Sequence, residues 1–460
     1  MSKKNQKPQY YVLIPLLISF PIASFAELQV TPTLELSEIY TDNVTPEPSG
    51  PGDFITRIAP GFNLRARGSS TTLDMIYQLE HLIYAKDRNR DATYQQFQAN
   101  MNSALIQDMF FIDVDASKFQ SVIDSQSPVF SNIQITENRT DVETLGVSPY
   151  LQFPVFSFAQ SELRYRYQLL NYDDAAVTDS ETQQLNFVVR SNERSRQFAW
   201  RLDYDKREID FEASTTSDFI NEDVFLELSY RTNPSFALVG LVGYEDIEYV
   251  DRAALNISDS YWELGFIWDL TRRTILELRT GDRYDDTTYF GRFASRTRYS
   301  NWQLAYSEDL MIAADEQVER DPFQPNQGTA SLTAEPFLEK RLEFNYIYSK
   351  GGNGVSINAY NLKRNFQVTP ALEKTHGGEA SIDWRVYPGL TLSLLGAYQS
   401  ETIELTNGKV ISREIGLRAT RRISSTASGY LAYRHVEFED VPTSVTRQEN
   451  ILEATLELTF

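Results

Sequence analysis

Apolar and polar side chains alternate with a period of two along almost the whole chain after residue 26, the pattern of strands with one oily and one wet face. In "FITRIAPGFNLRARG" one row reads Phe54, Thr56, Ile58, Pro60, Phe62, Leu64 and Ala66. The other reads Ile55, Arg57, Ala59, Gly61, Asn63, Arg65 and Arg67. "AQSELRYRYQLL" sets Leu163, Tyr165, Tyr167 and Leu169 against Glu162, Arg164, Arg166 and Gln168, and "QFAWRLDYD" sets Phe198, Trp200, Leu202 and Tyr204 against Arg201, Asp203 and Asp205. About 22 such segments of roughly 8 to 14 residues can be counted, the length a tilted transmembrane strand needs. A soluble sandwich also alternates, but it rarely needs strands in this number.

The connections carry a second pattern. With the first strand rising from the periplasm near Val30, the even connections are tight: "GSS" at 68–70, "QDM" at 107–109, "PVFS" at 154–157, "TNPS" at 232–235 and "LTRR" at 270–273. The odd ones are longer and polar: "DNVTPEPSGPGD", "KDRNRDA", 120–139, "YDDAAVTDSE", 206–222, 246–259 and 284–297. Short periplasmic turns alternating with long external loops mark outer-membrane barrels. Counting back from the carboxyl end keeps the phase, with "GGNG" at 351–354, "YPG" at 387–389 and "RRISS" at 421–425 on the periplasmic side. Between Glu308 and Arg341 the alternation fails, so segment 308–328 is expected on the periplasmic side, with a weak strand at 329–336 restoring parity. The expected fold is a transmembrane antiparallel up-and-down β-barrel of about 22 strands, within a range of 18 to 22.

Composition narrows the setting. Lys3, Lys4 and Lys7 precede the apolar run "YYVLIPLLISFPIASFA", which is short for a membrane span and ends in small residues at Ser24 and Ala26. Residues 1–26 therefore read as a secretory signal peptide cleaved before Glu27, leaving 27–460 as one barrel domain. Without those three lysines, 43 basic residues become 40 against 64 acidic ones, a net of −24. Such a chain has no electrostatic attraction to nucleic acid. It has no cysteine, which removes the disulfide-stapled exported classes. Aromatic content of 13%, with 26 Tyr and 27 Phe, suits the two interfacial girdles of a membrane barrel. No fixed repeat of 20 to 50 residues points to a solenoid.

The final strand, "EATLELTF", stacks Leu452, Ala454, Leu456, Leu458 and Phe460 on one row and Glu453, Thr455, Glu457 and Thr459 on the other. The first row would face lipid and the second the lumen. Leu456, Leu458 and Phe460 form the terminal pattern that resembles the β-signal read by the barrel assembly machinery.

Within barrels, the chain resembles the outer-membrane β-barrel proteins associated with PEP-CTERM and exosortase systems and the related barrels of exopolysaccharide gene clusters. The resemblance lies in "TPTLELSEIYTDNV" and "FLEKRLEFNYIYSKGGNGVSINAYNLKRNF" and extends loosely over most of the chain. It implies a role in making, exporting or anchoring surface polysaccharide at the outer membrane of a Gram-negative bacterium, with outer-membrane lipid, polysaccharide and periplasmic export components as partners.

Catalytic chemistry finds few carriers. The three histidines are scattered: His81 sits on an apolar row, while His376 and His435 fall near the external rim. No cofactor or transition-metal site is expected from a chain without cysteine and with so few histidines. The acid pairs Asp113 with Asp115, Asp173 with Asp174 and Asp285 with Asp286 have the oxygen chemistry of calcium ligands but no calcium-loop spacing, and read as hydrated lumen or loop acids. "SKGGNG" reads as a hairpin turn, not a phosphate loop. The lumenal rows are what remains: Arg57, Arg65, Arg164, Arg166 and Arg201 beside Glu162, Asp203, Glu453 and Glu457, a mixed-sign wall without the single-sign ring of an ion-selective pore. Three functions stay open: a pore or accessory for exopolysaccharide export, a general diffusion porin for small solutes, and a structural barrel that anchors surface polysaccharide or proteins.

Overall fold

The computed structural model describes residues 25–460 except 128, 130, 193–196, 213–217, 251, 253–255, 285, 313–315, 318–331, 333–334 and 370. The signal peptide expected at 1–26 lies outside the described residues up to position 24. The first strand, β1, already runs from Phe25.

The strands follow in chain order: β1 (Phe25–Thr41), β2 (Asp53–Gly68), β3 (Thr71–Tyr84), β4 (Ala92–Ile106), β5 (Phe110–Val122), β6 (Arg139–Val155) and β7 (Ala159–Tyr172). Next come β8 (Ser180–Ser191), β9 (Phe198–Phe211), β10 (Phe219–Asn233), β11 (Phe236–Tyr249), β12 (Ile257–Thr271), β13 (Thr274–Arg283) and β14 (Asp286–Arg296). The last are β15 (Ser300–Met311), β16 (Phe337–Lys350), β17 (Asn353–Phe366), β18 (Leu372–Tyr387), β19 (Leu390–Ile403), β20 (Gly408–Arg422), β21 (Ala427–Asp440) and β22 (Val445–Thr459). All 22 pair antiparallel with their sequence neighbours, and β22 pairs with β1, so the sheet closes on itself. Closure leaves no free edge at the seam, which a strand structure in lipid requires. No helix of the described residues is long and apolar enough to cross a membrane.

The rows fall where alternation puts them. Leu28, Val30, Leu36 and Tyr40 of β1 are exposed on the outer face, whereas Ser37, Ile39 and Thr41 are buried on the inner one. On β12 Trp262 and Trp268, both exposed, bracket Leu264 and Phe266 on the outer row, an interval of about 20 Å of strand that matches the apolar band between two girdles. Trp302, Trp384, Phe156, Phe158 and Phe460 crowd the short-turn end on the same outer surface. The terminal strand lies along β1 with Leu456 opposite Leu36 and Leu458 opposite Leu34. Phe460 extends the seam by donating its backbone N–H to Pro32 O at 3.0 Å.

The longest connections, such as 42–52 and 123–138, lie at one end, where shorter ones also occur at 404–407 and 441–444, and the other end carries short turns. Gly351 and Gly352 both take positive φ, 63° and 85°, the twist a two-residue hairpin between right-twisted strands demands. One part of the expected topology is corrected. Segment 284–297 is not a single external loop: 286–296 forms β14, with tight connections on both sides. That strand supplies the parity assigned above to 329–336, of which the described residues Leu332, Glu335 and Pro336 are not in a strand and the rest lie outside the described residues. The described residues of the 312–336 connection therefore sit at the long-loop end, not on the periplasmic side. The misreading arose because β14, "DTTYFGRFASR", carries Gly291 on its outer row and few aliphatics to mark it.

Candidate functional site

Every Arg and acid expected on the lumenal wall lies on an inner row. Arg57 of β2 crosses the closing seam: its guanidinium pairs with Glu35 of β1, donates to Glu453 of β22 at 2.5 Å and to Ser37 at 3.0 Å, and reaches Tyr430 of β21 at 3.5 Å. Arg164 donates to Asp113 at 2.8 Å and to Glu162 at 3.0 Å, and lies 3.8 Å over the Tyr150 ring. Arg166 pairs with Asp115 at 3.1 Å. The acid pair on β5 is thus occupied by two arginines of β7. Of the pair at 285–286, Asp286 is described and Asp285 lies outside the described residues. Arg201 pairs with Asp203, which also accepts from Asn186 at 2.9 Å. Arg65 and Arg67 share Asp74, at 3.3 and 2.9 Å, and Glu457 accepts from Ser428 at 2.7 Å. The Arg65 and Arg67 pairs with Asp74 are half-exposed, where an ion pair contributes about 0–1 kcal/mol, the Arg164 and Arg166 pairs are about a third exposed, and the Arg57 network is mostly buried. They form a braced, hydrated wall.

Other inner-row pairs were not singled out from sequence. Arg279 binds Glu227 at 2.8 Å and Glu277 at 2.6 Å, and Arg283 makes a two-pronged contact with Glu245 at 2.9 and 3.0 Å. Their positions follow from the period of two; their partners, up to 52 residues away, do not. The histidines face outward: His81 shares a hydrogen bond of 2.8 Å with Thr93, and His435 one of 2.9 Å with Asn450.

Toward the loop end the same inner rows turn apolar. Ile39, Ile55, Leu82, Tyr84 and Ile451 gather on one arc, and Phe119, Val142, Leu170, Tyr172, Ile209, Phe219, Ile247 and Tyr249 on another. An apolar inner wall in a water-filled lumen would be costly unless covered, and it is covered. Ile133, 2% exposed, packs on the first arc from the loop between β5 and β6, and Ile312 and Leu332 of the β15–β16 connection pack on the second.

Loop 123–138 is held around the mouth by polar contacts. Its base is pinched by Asn138, whose amide donates to Asp124 O at 2.8 Å while its Oδ1 accepts from Asp124 N at 2.8 Å. Tyr84 OH donates to Ile133 O at 2.7 Å, Asn132 to Glu80 at 2.7 Å, and Ile135 N to Val44 O at 3.0 Å. Ser125 reaches β19, donating to Glu401 at 2.6 Å. The backbone N–H of Leu332, from the far side of the ring, donates to Ile123 O at 2.9 Å. The described residues of the two segments thus meet at Leu332 and Ile123.

The β15–β16 connection has its own anchor. Arg364, 1% exposed, binds Glu316 at 2.5 Å, Glu373 at 2.7 Å and Glu339 at 2.9 Å. Burial pushes the Glu316 carboxyl up, Arg364 pulls it back, and Glu339 adds to the rise. Glu401 Oε2 and Gln126 Nε2, buried at this junction, have no hydrogen-bond partner among the described residues. Orphaned polar atoms of this kind cost about 1–3 kcal/mol each, so the closed contact is breakable.

No family model matches the chain, and no curated protein matches it. Solved structures do resemble it in fold. The siderophore receptor PirA from Acinetobacter baumannii aligns with a TM-score of 0.55 at 9% identity, over 94% of this chain and 80% of that one. A point mutant of the ferric enterobactin receptor PfeA from Pseudomonas aeruginosa aligns with a TM-score of 0.53 at 9% identity, over 95% and 81%. The FrpB iron transporter from Neisseria meningitidis aligns with a TM-score of 0.50 at 11% identity, over 95% and 83%. The chain shares the wide barrel fold of these outer-membrane proteins. Its closed sheet, apolar outer band and two aromatic girdles belong in the outer membrane of a Gram-negative bacterium.

Proposed function

We propose that the protein is a gated outer-membrane conduit for a bulky hydrophilic solute, and that loop 123–138 is its gate. The docking of that loop onto an apolar inner wall carries the proposal. A permanently open diffusion porin has no use for a covered mouth, and an anchoring protein has no use for a lumen 22 strands wide.

The cargo class follows from the wall below the gate. Tyr94, Gln96, Gln98, Asn100 and Asn102 form one continuous inner row on β4, and the charges around them are paired rather than presented as a ring of one sign. Amides, hydroxyls and neutralised ion pairs exchange hydrogen bonds with a neutral polyhydroxylated chain without trapping it. Together with the resemblance to exopolysaccharide-cluster barrels, this favours export of a sugar chain. The wide barrels of the PirA and PfeA structures support a lumen of this size and leave the cargo open.

Deleting the gene should lower surface polysaccharide while leaving the sugar polymer inside the cell envelope. A deletion strain with normal secreted and retained polysaccharide would reject the cargo. Planar-bilayer recording addresses the conduit itself, since an anchoring protein stays silent whatever happens to its loops.

A further inference from the structure

The barrel wall is not equally continuous all round. The ladder between β14 and β15 covers only Gly291–Arg296 against Asn301–Tyr306, shorter than the closing seam, which runs Thr33–Thr41 against Ile451–Thr459. Both strands continue above it and are paired on their other sides, β14 with β13 up to Asp286 and β15 with β16 up to Met311. Regular pairing between the two strands therefore stops above Gly291 and Tyr306.

The height of the break matters. Trp302, on the outer row, marks the lower interface, and the ladder ends four residues later, after about 14 Å of tilted strand. That is inside the apolar band of about 25 Å, where an open sheet edge facing lipid is not stable unless something else covers it.

An apolar pocket of about 490 Å³ lies at the foot of this cleft. Leu264, Leu278, Tyr289 and Tyr306 form its outer walls, and Gly291, without a side chain, leaves its floor open. Leu264, Leu278 and Tyr289 are exposed on the outer surface, so the pocket is continuous with the lipid-facing band. Above it, Lys340 of β16 ties the two lips, holding Glu308 of β15 at 2.9 Å and Asp286 of β14 at 3.4 Å. Thr288, 7% exposed beside the cleft, has a hydroxyl with no hydrogen-bond partner among the described residues.

We propose that the β14–β15 cleft is a lateral portal in the wall and that its pocket seats one acyl chain of a lipid from the surrounding bilayer. The occupant follows from the position of the pocket: it opens toward hydrocarbon, its lining is apolar, and a chain lying in it would cover the break. This inference does not depend on the sugar-export reading.

The test uses the full-length protein in phosphatidylethanolamine vesicles containing a small fraction of phosphatidylethanolamine with a diazirine in one acyl chain. After photolysis, label should concentrate several-fold on 278–291 relative to Leu392 and Leu394 of β19, which face lipid between two ladders that run the length of the strand. Gly291→Leu should bring labelling down to the level of β19. The variant is expected to fold, because a Cβ at Gly291 meets only Leu278 Cδ2, at 3.4 Å. Lys340→Ala, which frees the lips, should raise labelling, and heat-dependent gel mobility checks that each barrel is folded. Even labelling around the belt, or enrichment that survives Gly291→Leu in a folded barrel, would overturn the proposal.

Discussion

The lower and upper halves of the lumen are built from the same inner rows yet obey different physics. On β7, Arg164 and Arg166 face water and bind acids that are themselves about a third exposed, whereas Leu170 and Tyr172, further along the same row, are buried beneath an inward-folded loop system. On β2 the row runs from Arg65 and Arg57 to Ile55 in the same way. The shaft is hydrated and held by many weak pairs. The mouth packs apolar side chains and is tied by buried contacts, so single changes should act more strongly there.

The largest effect expected is from replacing 125–136 with a short Gly-Ser linker. Bilayer recordings should change from mostly closed to persistently conducting, because Ile133 no longer covers its arc. Arg364→Met comes next. It leaves Glu316, Glu339 and Glu373 without their buried cation, and breaking such a site costs about 3–5 kcal/mol. Protease accessibility of the β15–β16 connection should increase markedly, and unchanged digestion would mean that the connection is held elsewhere.

Ile133→Asp places a charge in the apolar arc and forfeits about 1.5–3 kcal/mol of burial, so frequent brief openings should appear. In the shaft, by contrast, Arg166→Gln should shift the heat-modifiability midpoint little, since a hydrated pair about a third exposed is worth about 1 kcal/mol. A shaft variant as damaging as Arg364→Met would erase the distinction between the halves.

The smallest effect is on pH. The Glu316 carboxyl is raised where it docks, so the docked state binds its proton more tightly than the released state does. Docking is therefore favoured as pH falls through the carboxylate range and weakens as pH rises through the raised value, above which it no longer changes. Closed dwell times should lengthen modestly on acidification. Glu316→Gln should flatten that dependence, with Glu339, Glu373, Arg341 and Arg364 still facing the site.

The barrel was legible because lipid and water impose period two on every strand, and loop length separated the two ends except at 284–297 and 308–328, where a tight external connection misled it. Within the shaft, Arg57, Arg164 and Asp203 could be placed on the inner rows by counting. The mouth was harder to read for a physical reason: Ile55 stands on the same row as Arg57, and its burial depends on Ile133, which is far away in the chain. A signal was present in the way the wet rows turn oily at their loop ends, at Phe119, Leu170 and Ile209. The strand "DTTYFGRFASR" was missed because a thinned outer row weakens the alternation that detects strands. That thin place is also where the β14–β15 ladder ends.

Single-channel recording of the native protein and of the 125–136 replacement, both shown to be folded by heat-dependent gel mobility, tests the gate most directly. The account predicts rare large openings in the native barrel and a continuous conductance of the same size in the replacement. A folded replacement that stays as silent as the native protein would contradict it, because the loop would then be covering no passage.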